Sequence, residues 1–312
     1  MRIAVFGTGG AGGRFGAQLA LAGHEVVFIA RGAHLAAIQA DGLRVETPEG
    51  EMRVRPADAT DTPSRVGAVD LVILGVKTWQ VADAARSMKP LIGPDTLVVP
   101  LQNGVETPGQ LVEILGPDPV LGGLCATFSW IAAPGVIRGI GDTHYIRFGE
   151  LDGRTSGRVE RLRQAFVEAG VQADVPESIQ VALWKKFLTV VPFGGIGAVT
   201  RAPAGVIRQV PQTRAMYSTG TREIFDVGRA RAIALEPDLP EKTMGFFDAL
   251  VPSGTTSLHR DIAAGKPSEL EAWVGAVVRL GREAKVPTPL HQFIYDALLP
   301  LEMRARRQID FE

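Results

Sequence analysis

A buried strand that runs straight into a glycine-rich turn and then into a helix leaves a chain few choices of fold, and residues 2–22 follow that order. Arg2-Ile3-Ala4-Val5-Phe6 reads as the strand and Gly7-Thr8-Gly9-Gly10-Ala11-Gly12 as the turn, while Phe15, Leu19 and Ala22 share one face of the following helix. Gly23 supplies a helix stop, and Glu25-Val26-Val27-Phe28-Ile29-Ala30 a second strand, which completes a β-α-β unit. In such a unit Gly7 permits the tight turn, Gly9 lets the backbone approach a pyrophosphate, and Gly12 lets the helix pack closely on the sheet. The helix N-terminus, with unpaired N–H groups and the positive end of its dipole, then faces the anion. Residues 7–12 therefore predict a dinucleotide cradle.

The residue that ends the second strand meets the adenosine ribose, so its charge selects the dinucleotide. A carboxylate there accepts from the 2'-hydroxyl of NAD, whereas a cation suits the 2'-phosphate of NADP. This chain has Arg31, whose guanidinium fits a phosphate bidentately; the preceding acid, Glu25, lies at the wrong end of the strand. NADPH is the predicted cofactor.

The 312 residues, 46% of them hydrophobic, suffice for two cores and suggest about two domains. With 33 basic and 34 acidic residues, no block of like charge and no basic stripe, nothing recommends nucleic acid or a membrane surface as partner. Cys125 is the single cysteine, in an apolar run, so no internal disulfide is possible. The N-terminus opens directly on a strand, and no stretch is read as approaching a membrane span, so a reducing cytoplasm is the expected setting. The five histidines lack metal-ligand spacing, and no metal site is expected.

Further strands are read at 69–76, 96–101, 121–127 and 143–149, with a hairpin near 47–50, a turn at 133–135 and a last helix and strand between about 158 and 173. Two strand-helix systems in series predict an α/β fold with an N-terminal Rossmann-like, doubly wound sheet over residues 1–175. Beyond Pro176 alternation gives way to helical periodicity at 177–191, 203–233, 240–251, 268–285 and 289–307. This predicts a C-terminal all-helical domain, residues 176–312, whose first helix forms a wall of a cleft and which is long enough to offer a homodimer face.

Ligands of open α/β sheets sit at the carboxyl ends of the strands. Lys77 follows the strand 69–76, and Asn103 follows 96–101, so both are candidates for the nicotinamide half. In the helical half, Lys186 has Ile179, Ala182, Leu183, Val190 and Phe193 at three, four and seven residues' distance, which puts a lysine inside an apolar stripe. Partial desolvation brings its proton closer to being transferable near neutral pH, as a general acid needs. Ser268 and Glu271 have capping-box spacing, leaving Glu269 free for another task, and Ser257 offers a hydroxyl to a carboxylate.

The set resembles the ketopantoate reductase (2-dehydropantoate 2-reductase) family over essentially the whole chain. The matching elements are the N-terminal GTGGAG, Ala30-Arg31-Gly32, Val76-Lys77-Thr78-Trp79-Gln80, Asn103-Gly104, Trp184-Lys185-Lys186, and Ser257 with Glu269 twelve residues later. The resemblance implies an NADP-dependent oxidoreductase that reduces a 2-oxo acid, ketopantoate first, in pantothenate biosynthesis. Lys186 would be the catalytic proton donor and would also bind substrate with Asn103 and Ser257. The cofactor would be held by Gly7, Thr8, Gly9, Gly10, Ala11, Gly12, Arg31, Lys77, Asn103, Glu269 and the backbone near Ile131. The chain departs from the pattern at Val190 and Gly194, where asparagines are frequent, and at Gln102, where histidine is. Those departures keep two alternatives open: a reductase of another branched or aromatic 2-oxo acid, and a non-catalytic NADP-sensing protein.

Overall fold

A computed structural model describes residues 1–310, apart from the side chains at 142 and 143. The chain divides into two compact units, residues 1–102 with 107–180, and residues 103–106 with 181 onward.

In the first unit β1 (Arg2–Phe6), α1 (Gly10–Leu21) and β2 (Glu25–Ile29) form the β-α-β unit, followed by α2 (Gly32–Asp41). Then come β3 (Leu43–Thr47), β4 (Gly50–Val54), β5 (Asp58–Thr60), β6 (Val69–Leu74), α3 (Val81–Ser87), β7 (Ile92–Pro100) and α4 (Thr107–Leu115). The unit closes with β8 (Gly122–Ala133), β9 (Val136–Gly149), α5 (Gly157–Glu168) and β10 (Gln172–Asp174). Five parallel strands run in the order β5-β2-β1-β6-β7. Because side chains alternate along a strand, Ile3, Val5 and Phe28 pack with Phe15 and Leu19 of α1 on one face. Ala4, Val27, Val72 and Leu74 pack with Ala84, Met88 and Leu111 on the other. Burial on both faces is why these strands read as continuous apolar runs.

The later strands do not extend that sheet, as the single-sheet prediction has them. They build a second sheet, β10-β9-β3-β4, with β8 antiparallel to β9. The β3–β4 hairpin enters it through parallel pairing of Arg44, Val45 and Glu46 with Val136, Ile137 and Arg138. Val45, Ile137 and Phe148 share a core with Phe15, so α1 is buried on two sides.

The helical unit comprises α6 (Ile179–Thr200), α7 (Ala204–Gln209), α8 (Pro211–Ala230), α9 (Leu239–Ala249), α10 (Ser257–Ala263), α11 (Ala276–Ala284) and α12 (Pro289–Ala305). Its core gathers Phe187, Leu188 and Val191 of α6 with Tyr217, Ile224, Phe247, Trp273, Val277 and Ile294. Three sequence expectations are corrected here. The first helix does not end near 191 but continues through Pro192 to Thr200. The periodicity over 203–233 is two helices, broken at the extended Val210, after which Pro211 opens α8 in the first-turn position that tolerates a missing N–H. And α6, at 22 residues, is by length and composition long and apolar enough to cross a membrane; it is also a core helix, with 67% of its most apolar window buried.

Candidate active site

The glycine turn is fixed from below by the end of β2. The N–H groups of Gly7 and Thr8 donate to Ile29 O at 3.1 and 3.2 Å, and Thr8 Oγ1 donates to the same carbonyl at 3.1 Å. Gly7 stands at φ +98°, and a Cβ there would lie 2.7 Å from Val76 N, so both the turn and the close approach of β6 require glycine. Gly12 packs so tightly that a Cβ would lie 2.5 Å from Gly7 O. Gly9 differs: its Cβ position has nothing nearer than Gly75 O at 3.9 Å. Gly9 is also the N-cap of α1, with no side-chain cap, and the first turn has no acidic residue. An uncapped helix start under open space fits a pyrophosphate, which would accept from the N–H groups at 10–12. Arg31, exposed at the N-cap of α2, stands two residues beyond Ile29, the carbonyl that ties the turn.

Lys77 is half-buried just past β6, its Nζ 5.8 Å from the centre of the Trp79 ring. A residue not predicted for the site holds that strand end: Gln102 Nε2 donates to Leu74 O at 2.9 Å and Val76 O at 2.8 Å. Ile131 lies on β8, which crosses the start of α1 so closely that a Cβ on Gly10 would sit 2.2 Å from Ser129 O. Ile131 pairs with Ile137, whose side chain packs on Gly13, so its row faces the helix start while 45% of its surface stays exposed.

In the helical unit Lys186 is half-buried on α6 between the buried Leu183 and Phe193. Its neighbour Lys185 points elsewhere and pairs with Glu236 at 2.7 Å. Two turns along α6, a Cβ on Gly194 would lie 3.0 Å from the Trp273 ring and 3.1 Å from Thr256 Oγ1. Thr256 caps α10 by accepting from His259 N at 3.2 Å, which leaves the half-buried Ser257 hydroxyl out of the cap.

The capping box predicted between Ser268 and Glu271 does not form. Ser268 is fully buried and gives both its N–H and its Oγ to Glu302, the latter at 2.6 Å, while Arg306 bonds Glu302 at 2.7 Å and Ser268 O at 3.0 Å. Glu271 instead pairs with Arg279 and accepts from Tyr295 at 2.7 Å; burial, together with that carboxylate, pushes the Tyr295 phenol up to about 12. This anchoring sets the buried Glu269 and the one-turn π-helix Glu271–Gly275 that carries Trp273. The loop with Asn103 reaches the same segment: a Cβ on Gly104 would lie 3.2 Å from Ala272 O, and Glu106 pairs with Arg279 at 2.8 Å. Ala272 and Trp273 thus border the loop of Asn103 and the helix of Lys186, and Thr256, next to Ser257, borders that helix at Gly194. Gly7 to Gly12, Arg31, Lys77 and Ile131 belong to the other unit.

The family model described as ketopantoate reductase PanE/ApbA matches residues 3–153, and its C-terminal counterpart matches residues 178–302. A 2-dehydropantoate 2-reductase of Mesorhizobium japonicum is 33% identical, with 97% of each chain covered. The crystal structure of a PanE/ApbA family ketopantoate reductase from Ralstonia eutropha superposes with a TM-score of 0.89 at 30% identity, covering 98% of this chain and all of that one. A D-mandelate dehydrogenase with NADH and anilino(oxo)acetate shares the fold at 23% identity, with a TM-score of 0.88 and coverage of 98% and 100%.

Proposed function

The chain belongs to the ketopantoate reductase family, and within it we propose that it reduces 2-dehydropantoate (ketopantoate) to pantoate with NADPH. The observation that supports the reading is that Ala272 and Trp273 border Gly104, next to Asn103, and Gly194, two turns along the helix from Lys186, while Thr256, next to Ser257, borders the same Gly194. The relative from Mesorhizobium japonicum carries the same activity in its name and matches 97% of this chain.

When bound, NADPH supplies the hydride that goes to the ketone carbon of the 2-oxo acid. The uncapped start of α1 and the turn 7–12 would hold its pyrophosphate, Arg31 would pair its 2'-phosphate, and Lys77, Glu269 and the backbone near Ile131 would serve the rest of it. Ser257 and Asn103 orient the substrate by its carboxylate and carbonyl. The Lys186 ammonium donates a proton to the carbonyl oxygen as negative charge grows there, so ketone, hydride and proton give the 2-hydroxy acid. Lys186 is then reloaded from water.

A second reading, reduction of a different branched or aromatic 2-oxo acid, is favoured by Gly194. Trp273 and Thr256 fill the space a side chain would take there, so no amide faces the substrate from that position. Steady-state rates with NADPH across ketopantoate, 2-oxoisovalerate and phenylglyoxylate separate the two. Ketopantoate gives the highest kcat/KM in the first case; a far lower rank for it hands the site to the second.

For the cofactor, Arg31→Ala raises KM for NADPH by roughly tenfold or more, the worth of a charge-assisted pair, and leaves KM for NADH in place. Equal effects on both dinucleotides would remove Arg31 from the 2'-phosphate.

A further inference from the structure

His34 occupies the first turns of α2, three residues after Arg31, and is half-buried. Its two ring nitrogens reach backbone atoms far apart in sequence. Nε2 lies 2.8 Å from Thr8 O, in the glycine turn, and Nδ1 lies 3.0 Å from Gly135 N, in the turn between β8 and β9. A carbonyl only accepts and a backbone N–H only donates, so the pair of bonds fixes the ring as the neutral tautomer with its proton on Nε2.

The Gly135 turn is held at further points. Gly135 O accepts from Arg44 N at 2.9 Å, and a Cβ on Gly135 would lie 3.0 Å from Ala37 Cβ of α2. At the other end of the same strand segment, Ser129 O rests on Gly10. Between these two anchors run Trp130, Ile131, Ala132 and Ala133, all exposed. The segment is a strap across the start of α1, pinned at Gly10 by close packing and at Gly135 by His34.

We propose that His34 is a positioning residue for the dinucleotide: a neutral imidazole latch that joins the glycine turn to the β8–β9 turn and so fixes the strap bearing Ile131 over the pyrophosphate cradle. The proposal rests on the reading of this unit as the NADPH site. Protonation of Nδ1 would abolish its capacity to accept from Gly135, so the latch holds only while the ring is neutral. Burial keeps the His34 pKa below its ordinary value, and no charged side chain among the described residues contributes to that shift; Arg31, on the same helix, is exposed. The neutral latch is therefore complete above about pH 6.5 and fails as pH falls through the lowered value.

Direct titration of NADPH, followed by the fluorescence of the bound nicotinamide, tests this on wild type, His34→Ala and His34→Gln. Glutamine offers one donor and one acceptor and does not titrate. Loss of both bonds in His34→Ala is expected to weaken NADPH about tenfold, with kcat at saturating NADPH within about twofold. His34→Gln is expected to restore most of the affinity. As pH falls through the lowered His34 value, the wild-type Kd is expected to rise more steeply than that of His34→Gln. Unchanged affinity in His34→Ala, a glutamine variant as weak as alanine, or identical pH dependence in wild type and His34→Gln would each overturn the latch. If alanine does not fold, the last comparison decides. A wild-type chain that binds no NADPH at all instead sinks the reductase reading, and is told apart by that.

Discussion

Lys186→Ala lowers kcat for reduction of the 2-oxo acid by about 10²–10⁴-fold, the usual worth of a positioned general acid, and leaves the Kd for NADPH within about twofold. The asymmetry follows from where the lysine stands. It belongs to the helical unit, on α6, whereas the cradle at 7–12 and Arg31 belong to the other unit. In the proposed role, removing its ammonium would delete the proton and the positive potential against the forming alkoxide, both of which act in the transition state. Lys186→Arg keeps the charge but not the proton, because a guanidinium does not deprotonate near neutral pH, so it restores little of kcat. Lys185→Ala is the matched control on the same helix. Lys185 is partly exposed and paired to Glu236, and its loss changes turnover little. Single-turnover rates at saturating NADPH measure the chemical step directly; a Lys186→Ala rate equal to wild type removes the proton-donor role.

What the chain reveals by inspection follows the range of the interactions involved. The unit from Arg2 to Ile29 is legible because strand, turn, helix and stop are adjacent and each glycine has a local reason. The second sheet is not, since Arg44 opposite Val136 is a pairing that no window of neighbouring residues contains. The same holds for Ser268. Its spacing to Glu271 satisfies the capping-box pattern, but the buried Glu302 carboxylate, charge-assisted by Arg306, offers a stronger acceptor from α12. His34 carries no signal beyond being a polar residue in a short helix, because both of its partners are backbone atoms brought close by the fold. In the sequence Gln102 stands out only as a departure from the family pattern, because its clamp on the end of β6 depends on the parallel pairing of β6 and β7. The partial burial of Lys186 is legible from its apolar neighbours alone, whereas Trp273 filling the space at Gly194 is not.

Two adjacent alanine substitutions in the glycine turn separate ligand approach from protein packing, and they have opposite signatures. Gly9 sits in extended backbone, φ −86° and ψ −164°, which alanine adopts freely, and its Cβ would meet nothing closer than 3.9 Å. The protein therefore tolerates Gly9→Ala, with a change in unfolding free energy of less than about 0.5 kcal/mol, the range of a substitution with no buried partner. The new methyl instead stands in the open space over the uncapped start of α1, so NADPH affinity falls by more than about 100-fold as the pyrophosphate loses its close approach to the backbone. Gly10→Ala places its Cβ 2.2 Å from Ser129 O and 2.7 Å from Trp130 N, both backbone atoms that no rotamer change can withdraw. Either α1 or the crossing segment of β8 must shift, at a cost of about 1–3 kcal/mol or somewhat more. Thermal unfolding and NADPH titration on the two variants provide the check. A stable Gly9→Ala protein that binds NADPH like wild type would mean that the dinucleotide does not use this helix start, whatever else the first unit binds.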